Sequence, residues 1–215
     1  RNFETLDPIL PTGLKCLILN GRFNQEMHMM NLPESLQTLT FGNAFNRSLD
    51  SLKWPETLQN LTFGNNFNQD MTDAQLPNDL KNLTFGFSFN QSLDLVNLPA
   101  GLQILTFGNN FNRSLEKVKL PSGLMTLFFA GDFNQNLDKV NLPKDLEVLV
   151  LGEHFNQSLK NVNFPDSLKK LTLNHGTCLE GATLPMNLEE LCCDGLRIGR
   201  MDFPGREPTL NMECG

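Results

Sequence analysis

The chain has 215 residues, of which 17 are Lys or Arg and 24 are Asp or Glu, and its net charge of −7 repels phosphate backbones, which argues against a sequence-independent nucleic-acid binder. Apolar residues make up 40% and charged ones 19%, and no apolar run approaches the roughly 18 residues that cross a bilayer, so neither a disordered tail nor membrane insertion is expected. With 17 Phe, no Tyr and only 3 His, the composition suits a repeated structural core better than a catalytic site, and no cofactor is expected.

Residues 1–10 precede the main pattern and are expected to cap it. From there Pro recurs at 11, 33, 55, 77, 99, 121, 143 and 165, a period of 22, and another follows 20 residues later at Pro185. A fixed period in this range marks a solenoid, whose turns are each buried against their neighbours. Leu stands three residues after each Pro, from Leu14 to Leu188, and again three further on, from Leu17 to Leu191. Two positions beyond lies an apolar column: Leu19, Phe41, Phe63, Phe85, Phe107, Phe129, Leu151, Leu173 and Cys193. Apolar positions two apart point the same way from a strand. Parallel strands are therefore predicted around Leu17, Leu39, Leu61, Leu83, Leu105, Leu127, Leu149, Leu171 and Leu191.

Gly42, Gly64, Gly86, Gly108 and Gly152 follow the strands, where the chain needs either a positive φ or a close approach to another backbone. The remaining residues of each turn must return to the next strand past a proline that helix interiors reject, which leaves little room for α-helix. A short 3₁₀ or extended return is predicted, as in residues 92–99, with Leu93, Val96 and Leu98 inward. Phe-Asn recurs after the glycine turn, placing Asn24, Asn46, Asn68, Asn90, Asn112, Asn134 and Asn156 in one column. A ladder of buried amides is expected there, satisfying backbone groups where the strand pairing has ended. Solvated turn residues are the plainer alternative.

The regular solenoid is assigned to residues 11–185, and residues 186–215 to a last strand and a Cys-containing C-terminal cap. Thr177-Cys178 replaces Phe-Asn shortly before that boundary, and Gly195, Gly199, Pro204, Gly205 and Pro208 break the period beyond it. Cys178, Cys192, Cys193 and Cys214 cluster toward this end without a C-x-x-C zinc spacing, so no metal is expected, and bridges and free thiols both stay open. Sequons at Asn46, Asn60, Asn82, Asn90, Asn112 and Asn156 read as by-products of the repeat, because they fall on the amide ladder or the strands. That leaves the compartment unassigned, with a lean toward an intracellular one. The chain opens on Arg1 and not Met, as expected of a fragment or a processed product.

Residues beside the buried strand positions face outward. One outward row reads Ile18, Thr40, Thr62, Thr84, Thr106, Phe128, Val150, Thr172 and Cys192; the other reads Cys16, Thr38, Asn60, Asn82, Ile104, Thr126, Val148, Lys170 and Glu190. Thr in a strand needs no functional explanation. Ile104, Phe128, Val148 and Val150 form an apolar patch on a face expected to meet water, and with Thr106 and Thr126 they are the candidate partner site. Asp132 with His154, and Glu153 with His175 near Cys178, are the one acid-histidine grouping that the repeat brings together, more plausibly a solvated rim than a metal or catalytic site. Asp50, Asp94, Glu116 and Asp138, interspersed with Lys117, Lys139 and Lys160, read as a solvated opposite face. No nucleophile elbow, phosphate-binding glycine loop or H-E-x-x-H is present in the sequence.

Leu98-Pro99, Leu102, Leu105-Thr106-Phe107-Gly108 and Phe111-Asn112 carry a unit, L-P-x-x-L-x-x-L-T-F-G-x-x-F-N-Q-S-L, that resembles the FNIP-type repeat, a branch of the leucine-rich repeat superfamily. The resemblance covers about residues 8 to 191. It implies a β-rich, curved, right-handed solenoid of about nine turns with a parallel concave sheet, a role in protein binding, and no catalytic residue. Clustered terminal cysteines likewise resemble the disulfide-closed ends of extracellular leucine-rich repeats. The expected function is a non-enzymatic interaction scaffold with a protein or peptide partner on the concave sheet. A structural subunit docked permanently in a larger assembly is the alternative; ice binding through the Thr row and enzymatic activity are the remaining ones.

Overall fold

In the computed structural model, residues 10–27, 30–50, 52–174, 177, 179–193 and 196–199 are described. The strands are β1 (Cys16–Ile18), β2 (Thr38–Thr40), β3 (Asn60–Thr62), β4 (Asn82–Thr84), β5 (Ile104–Phe107), β6 (Thr126–Phe129), β7 (Val148–Val150), β8 (Lys170–Leu173), β9 (Glu190–Cys193) and β10 (Leu196–Gly199). They form one sheet in sequence order, and no helix occurs among the described residues. From β1 to β9 every pairing is parallel, with the central Leu of each strand opposite that of the next. The chain is therefore a parallel β-solenoid of eight complete turns between nine strands, 22 residues each until the last, which closes in 20. β10 departs from the parallel stack: it folds back on β9 as an antiparallel partner, Leu196 opposite Cys193. Residues 1–9, most of the stretch beyond Cys193, His175 and Cys178 lie outside the described residues.

The core is a set of apolar columns. Leu36, Leu39, Phe41 and Phe45 are buried in one turn, as are Leu102, Leu105, Phe107 and Phe111 in another. Phe41, Phe63, Phe85, Phe107 and Phe129 stack with ring centroids 5.2 to 5.7 Å apart. A second stack runs from Phe23 to Phe155 at 6.0 to 6.1 Å. The two meet in the five turns from Phe41 and Phe45 to Phe129 and Phe133, as at Phe107 and Phe111, 3.8 Å apart. Near-parallel offset rings fill the width of the solenoid with no polar group inside, and no buried polar residue is found among those described.

Turn chemistry explains the rest of the unit. The Pro carbonyl accepts the N–H of the Leu three residues on, from Leu14 to Leu188, so each Pro-x-x-Leu is a tight turn into a strand. Of the two reasons for the glycine column, close approach is the operative one: Gly181 is the only described glycine with a positive φ. A Cβ on Gly64 would sit 2.3 Å from the Gly42 carbonyl oxygen, and the same collision recurs at Gly42, Gly86, Gly108 and Gly152. Ala130 stands in this column where the ladder runs one residue further, its N–H donating to the Phe107 carbonyl at 3.2 Å. The return path is extended segments and turns, with Leu93 and Val96 buried and Leu98 partly so. On it, Glu116 pairs with Lys139 at 3.3 Å in an exposed position.

Candidate functional site

The alternation of β5, β6 and β7 fixes what the sheet offers to solvent. Leu105, Leu127 and Leu149 are fully buried, and the residues flanking them point to the open face. Strand register places Ile104, Thr126 and Val148 in one row and Thr106, Phe128 and Val150 in the next, an array over three adjacent strands. Ile104 is 39% exposed and Phe128 37%. The turns form an internal alignment: Thr38, Thr40, Thr62 and Thr84 occupy equivalent positions earlier in the chain, so the fold itself is content with Thr there. Ile104, Phe128, Val148 and Val150 depart from that Thr and Asn pattern toward apolar side chains on the open face.

Two further exposed side chains escape the sequence reading. Met125, 39% exposed, precedes Thr126 in a column otherwise reading Lys15, Gln37, Gln59, Lys81 and Gln103 up to that turn, and it extends the array along β6. Phe87, 49% exposed, stands in the turn after β4 where Asn43, Asn65 and Asn109 occupy the same place. The signal was available in both columns as a break from polar residues.

Polar residues bound the array. On the β1 side, Asn82 Nδ2 donates to Asn60 Oδ1 at 2.5 Å, and Asn60 Nδ2 to Thr38 Oγ1 at 3.3 Å, so these amides satisfy one another along the row. Beyond β7, Lys169 meets Glu147 at 2.8 Å and Lys170 meets Glu190 at 3.2 Å. The hydrogen bond and charge of Glu147 hold the Lys169 ammonium above its ordinary range. At the C-terminal ends of the strands, His154 Nδ1 lies 3.1 Å from Asp132 Oδ1, both exposed, with Glu153 exposed beside them. The other expected members of that grouping, His175 and Cys178, lie outside the described residues. Among the described residues no three His, Cys, Asp or Glu side chains stand together as a metal site.

The Asn column is a ladder, but not the buried one expected. The Oδ1 of Asn24 accepts the backbone N–H of Asn46 at 2.9 Å, and the pattern continues through Asn68, Asn90, Asn112 and Asn134 to Asn156 at 2.9 to 3.0 Å. Asn24, Asn46, Asn68, Asn90 and Asn134 are half-buried, and Asn112 and Asn156 are exposed. The preceding Phe takes the interior, so the Asn stands at the rim and sends its oxygen along the stack; at Asn134 the Nδ2 also donates to Asn156 Oδ1 at 2.9 Å. Two residues after the ladder, Ser48, Ser92, Ser114 and Ser158 accept the N–H of Asp50, Asp94, Glu116 and Lys160 at 3.1 to 3.2 Å. In the sequons at Asn46, Asn90 and Asn112 both the Asn and the Ser side chain thus make a bond of the repeat, and at Asn156 the Ser does. Cys16, Cys192 and Cys193 are thiols; burial raises the pKa of Cys193, and Cys192 Sγ lies 3.3 Å from Glu190 Oε1.

The FNIP Repeat profile matches the chain at residues 4–44, 45–88, 89–132 and 133–176, so that a match such as 45–88 covers two 22-residue turns. Among solved structures the chain is similar to CroV588, described as a novel circular LRR protein structure, with 33% identity and a TM-score of 0.70 over 86% of this chain. The match covers 34% of that chain, so the present one spans about a third of its length. No curated protein matches the chain. No helix among the described residues is long and apolar enough to cross a membrane.

Proposed function

The chain belongs to the FNIP repeat family, and from that premise we propose that it is a non-enzymatic scaffold holding a protein or peptide partner on the open face of its sheet, over Ile104, Thr106, Thr126, Phe128, Val148 and Val150. The observation that carries this reading is the registered apolar array on three adjacent strands, at positions where β2, β3 and β4 place Thr or Asn. Rigidity supports it: backbone pairing and two phenylalanine stacks hold the strands, so little conformational freedom is lost on docking. A few large apolar side chains at the centre of such a face can carry most of the binding energy.

The test compares wild-type protein with the Phe128→Asp/Val150→Asp double variant as baits in the native source, after thermal melts establish that both are folded. A partner retained by wild type and by Thr62→Asp, but lost by the double variant, supports the reading. Retention by all three would move the site off this part of the sheet. A docked structural subunit would behave differently in one respect: wild type would elute from size exclusion only as part of a larger complex.

A further inference from the structure

We propose that the occupant of this face is a basic, apolar polypeptide segment: an aliphatic or aromatic side chain seated on Phe128 and Val150, with a neighbouring Lys or Arg reaching the Asp132 and Glu153 carboxylates. The inference rests on the sheet-face reading above and adds to it the chemistry of the partner.

Two unrelated breaks in the repeat coincide. In the loop after each strand, the position of Glu153 is Asn43, Asn65, Phe87, Asn109 and Gly131 in earlier turns, and the position of Asp132 is Ala44, Asn66, Ser88 and Asn110. No carboxylate appears in either column from β2 to β5. Both enter in the loops after β6 and β7, the strands whose open face has changed from Thr to Phe128 and Val150. One change is apolar and on the strand; the other is acidic and in the loop. Neither serves the fold, since the loops before them stack equally well without a charge.

Geometry puts the two features within one ligand's reach. The loops are tied by backbone bonds, Asp132 N–H to the Asn109 carbonyl at 2.7 Å and His154 N–H to the Gly131 carbonyl at 3.0 Å, so the carboxylates stand on fixed backbone. Asp132 follows Phe128 by four residues and Glu153 follows Val150 by three, which at about 3.3 Å per residue is roughly 10 to 13 Å at most. An extended Lys or Arg next to the apolar anchor spans that gap. Toward the other end of the sheet face, Glu147 before β7 is matched by Lys169 before β8, and Lys170 on β8 by Glu190 on β9. Exposed charges of both signs, Lys144 and Asp145, precede β7, whereas the loops after β6 and β7 carry only Asp132 and Glu153 with the exposed His154 3.1 Å from Asp132. The overall −7 steers cations in the same sense.

A random-peptide phage library panned on the immobilised full chain tests this. The expected selection is enriched in Lys or Arg close to an aromatic or aliphatic residue. Binding of the selected peptides should be lost on Phe128→Asp and weakened several-fold on Asp132→Asn/Glu153→Gln, and that second difference should vanish at high salt. Each variant is first melted to establish folding, and Thr62→Asp, on the same open face three strands away, serves as the control. Peptides that need Phe128 but show no basic excess, or ignore the neutralised carboxylates, overturn this inference and leave the sheet-face reading standing. Peptides indifferent to Phe128→Asp, or no selection above a blank surface, overturn the sheet-face reading and this inference with it.

Discussion

Asn68 Oδ1 accepts two hydrogen bonds from the following turn, the backbone N–H of Asn90 at 2.9 Å and the Nε2 of Gln91 at 3.0 Å. One side-chain oxygen thus holds both the main chain and the rim of the next unit. Asn68→Ala should destabilise by about 1 to 2 kcal/mol, because two donors at a half-buried site lose their acceptor. Gln91→Ala, on first sight an idle rim change, removes one of those bonds and should cost part of that. Asn66→Ala, exposed and outside the ladder, should change stability by less than about 0.5 kcal/mol. Urea midpoints at constant m-value decide it: equal shifts for Asn68→Ala and Asn66→Ala would show that water serves the ladder donors just as well.

Gly64 lies so close to the turn before it that a Cβ would stand 2.3 Å from the Gly42 carbonyl oxygen. Gly64→Ala must push two backbones apart or break the ladder, and should cost about 3 kcal/mol. Gly13→Ala meets nothing within 4 Å and should be neutral or stabilising by about 0.4 to 1 kcal/mol through the unfolded state. Thermal melts of the two variants check this. A harmless Gly64→Ala would mean that the accommodation seen at Ala130, one more ladder residue, is open to every turn.

Most of the architecture was legible because 22-residue spacing reports structure directly: Leu39, Leu61 and Leu83 recur in sequence because they sit side by side in space. What the spacing could not convey is depth. Asn46 and Phe45 recur equally faithfully, yet Phe45 is fully buried and Asn46 is at the rim, since a hydrogen bond along the stack constrains a residue as strictly as packing does. The antiparallel return of β10 was illegible for the opposite reason: residues beyond Cys193 carry no period to read. At the candidate site, Phe128 and Val150 stood out against Thr, whereas Met125 was missed because its column precedes the strand and carries no core residue.

Trp54 and Ala74 form a compensating pair. Trp54 replaces the Leu found at the same place as Leu32, Leu76 and Leu98, and its indole N–H donates to the Ala74 carbonyl at 2.6 Å. Ala74, buried, stands where other turns have Leu52, Val96, Val118 and Val140, so the large side chain meets the small one. Ala74→Val should cost about 1 to 3 kcal/mol by overpacking against the indole. Trp54→Leu/Ala74→Val restores the pairing of the other turns and should be less damaging than the sum of its parts. A double-mutant cycle reads the coupling directly, and strict additivity would show that the two positions do not share space.

Leu127 and Phe128 are consecutive on β6 and face opposite ways, Leu127 fully buried and Phe128 37% exposed. Substitution by Asp separates the two sides. Leu127→Asp places a carboxylate among Leu105, Leu149 and the phenylalanine stacks, where nothing can pair with it, and should unfold the chain or cost more than about 4 kcal/mol. Phe128→Asp removes no core contact and puts the charge in water, so its melting temperature should stay within a few degrees of wild type. Phe128 also lies beside Thr106 and Val150 in register, and a neighbouring β-branched contact on the open face is worth only about 0.2 to 1 kcal/mol. Circular-dichroism melts of the two variants settle the assignment. If Phe128→Asp unfolds as readily as Leu127→Asp, Phe128 belongs to the core, and every reading that places a partner on this face loses its anchor.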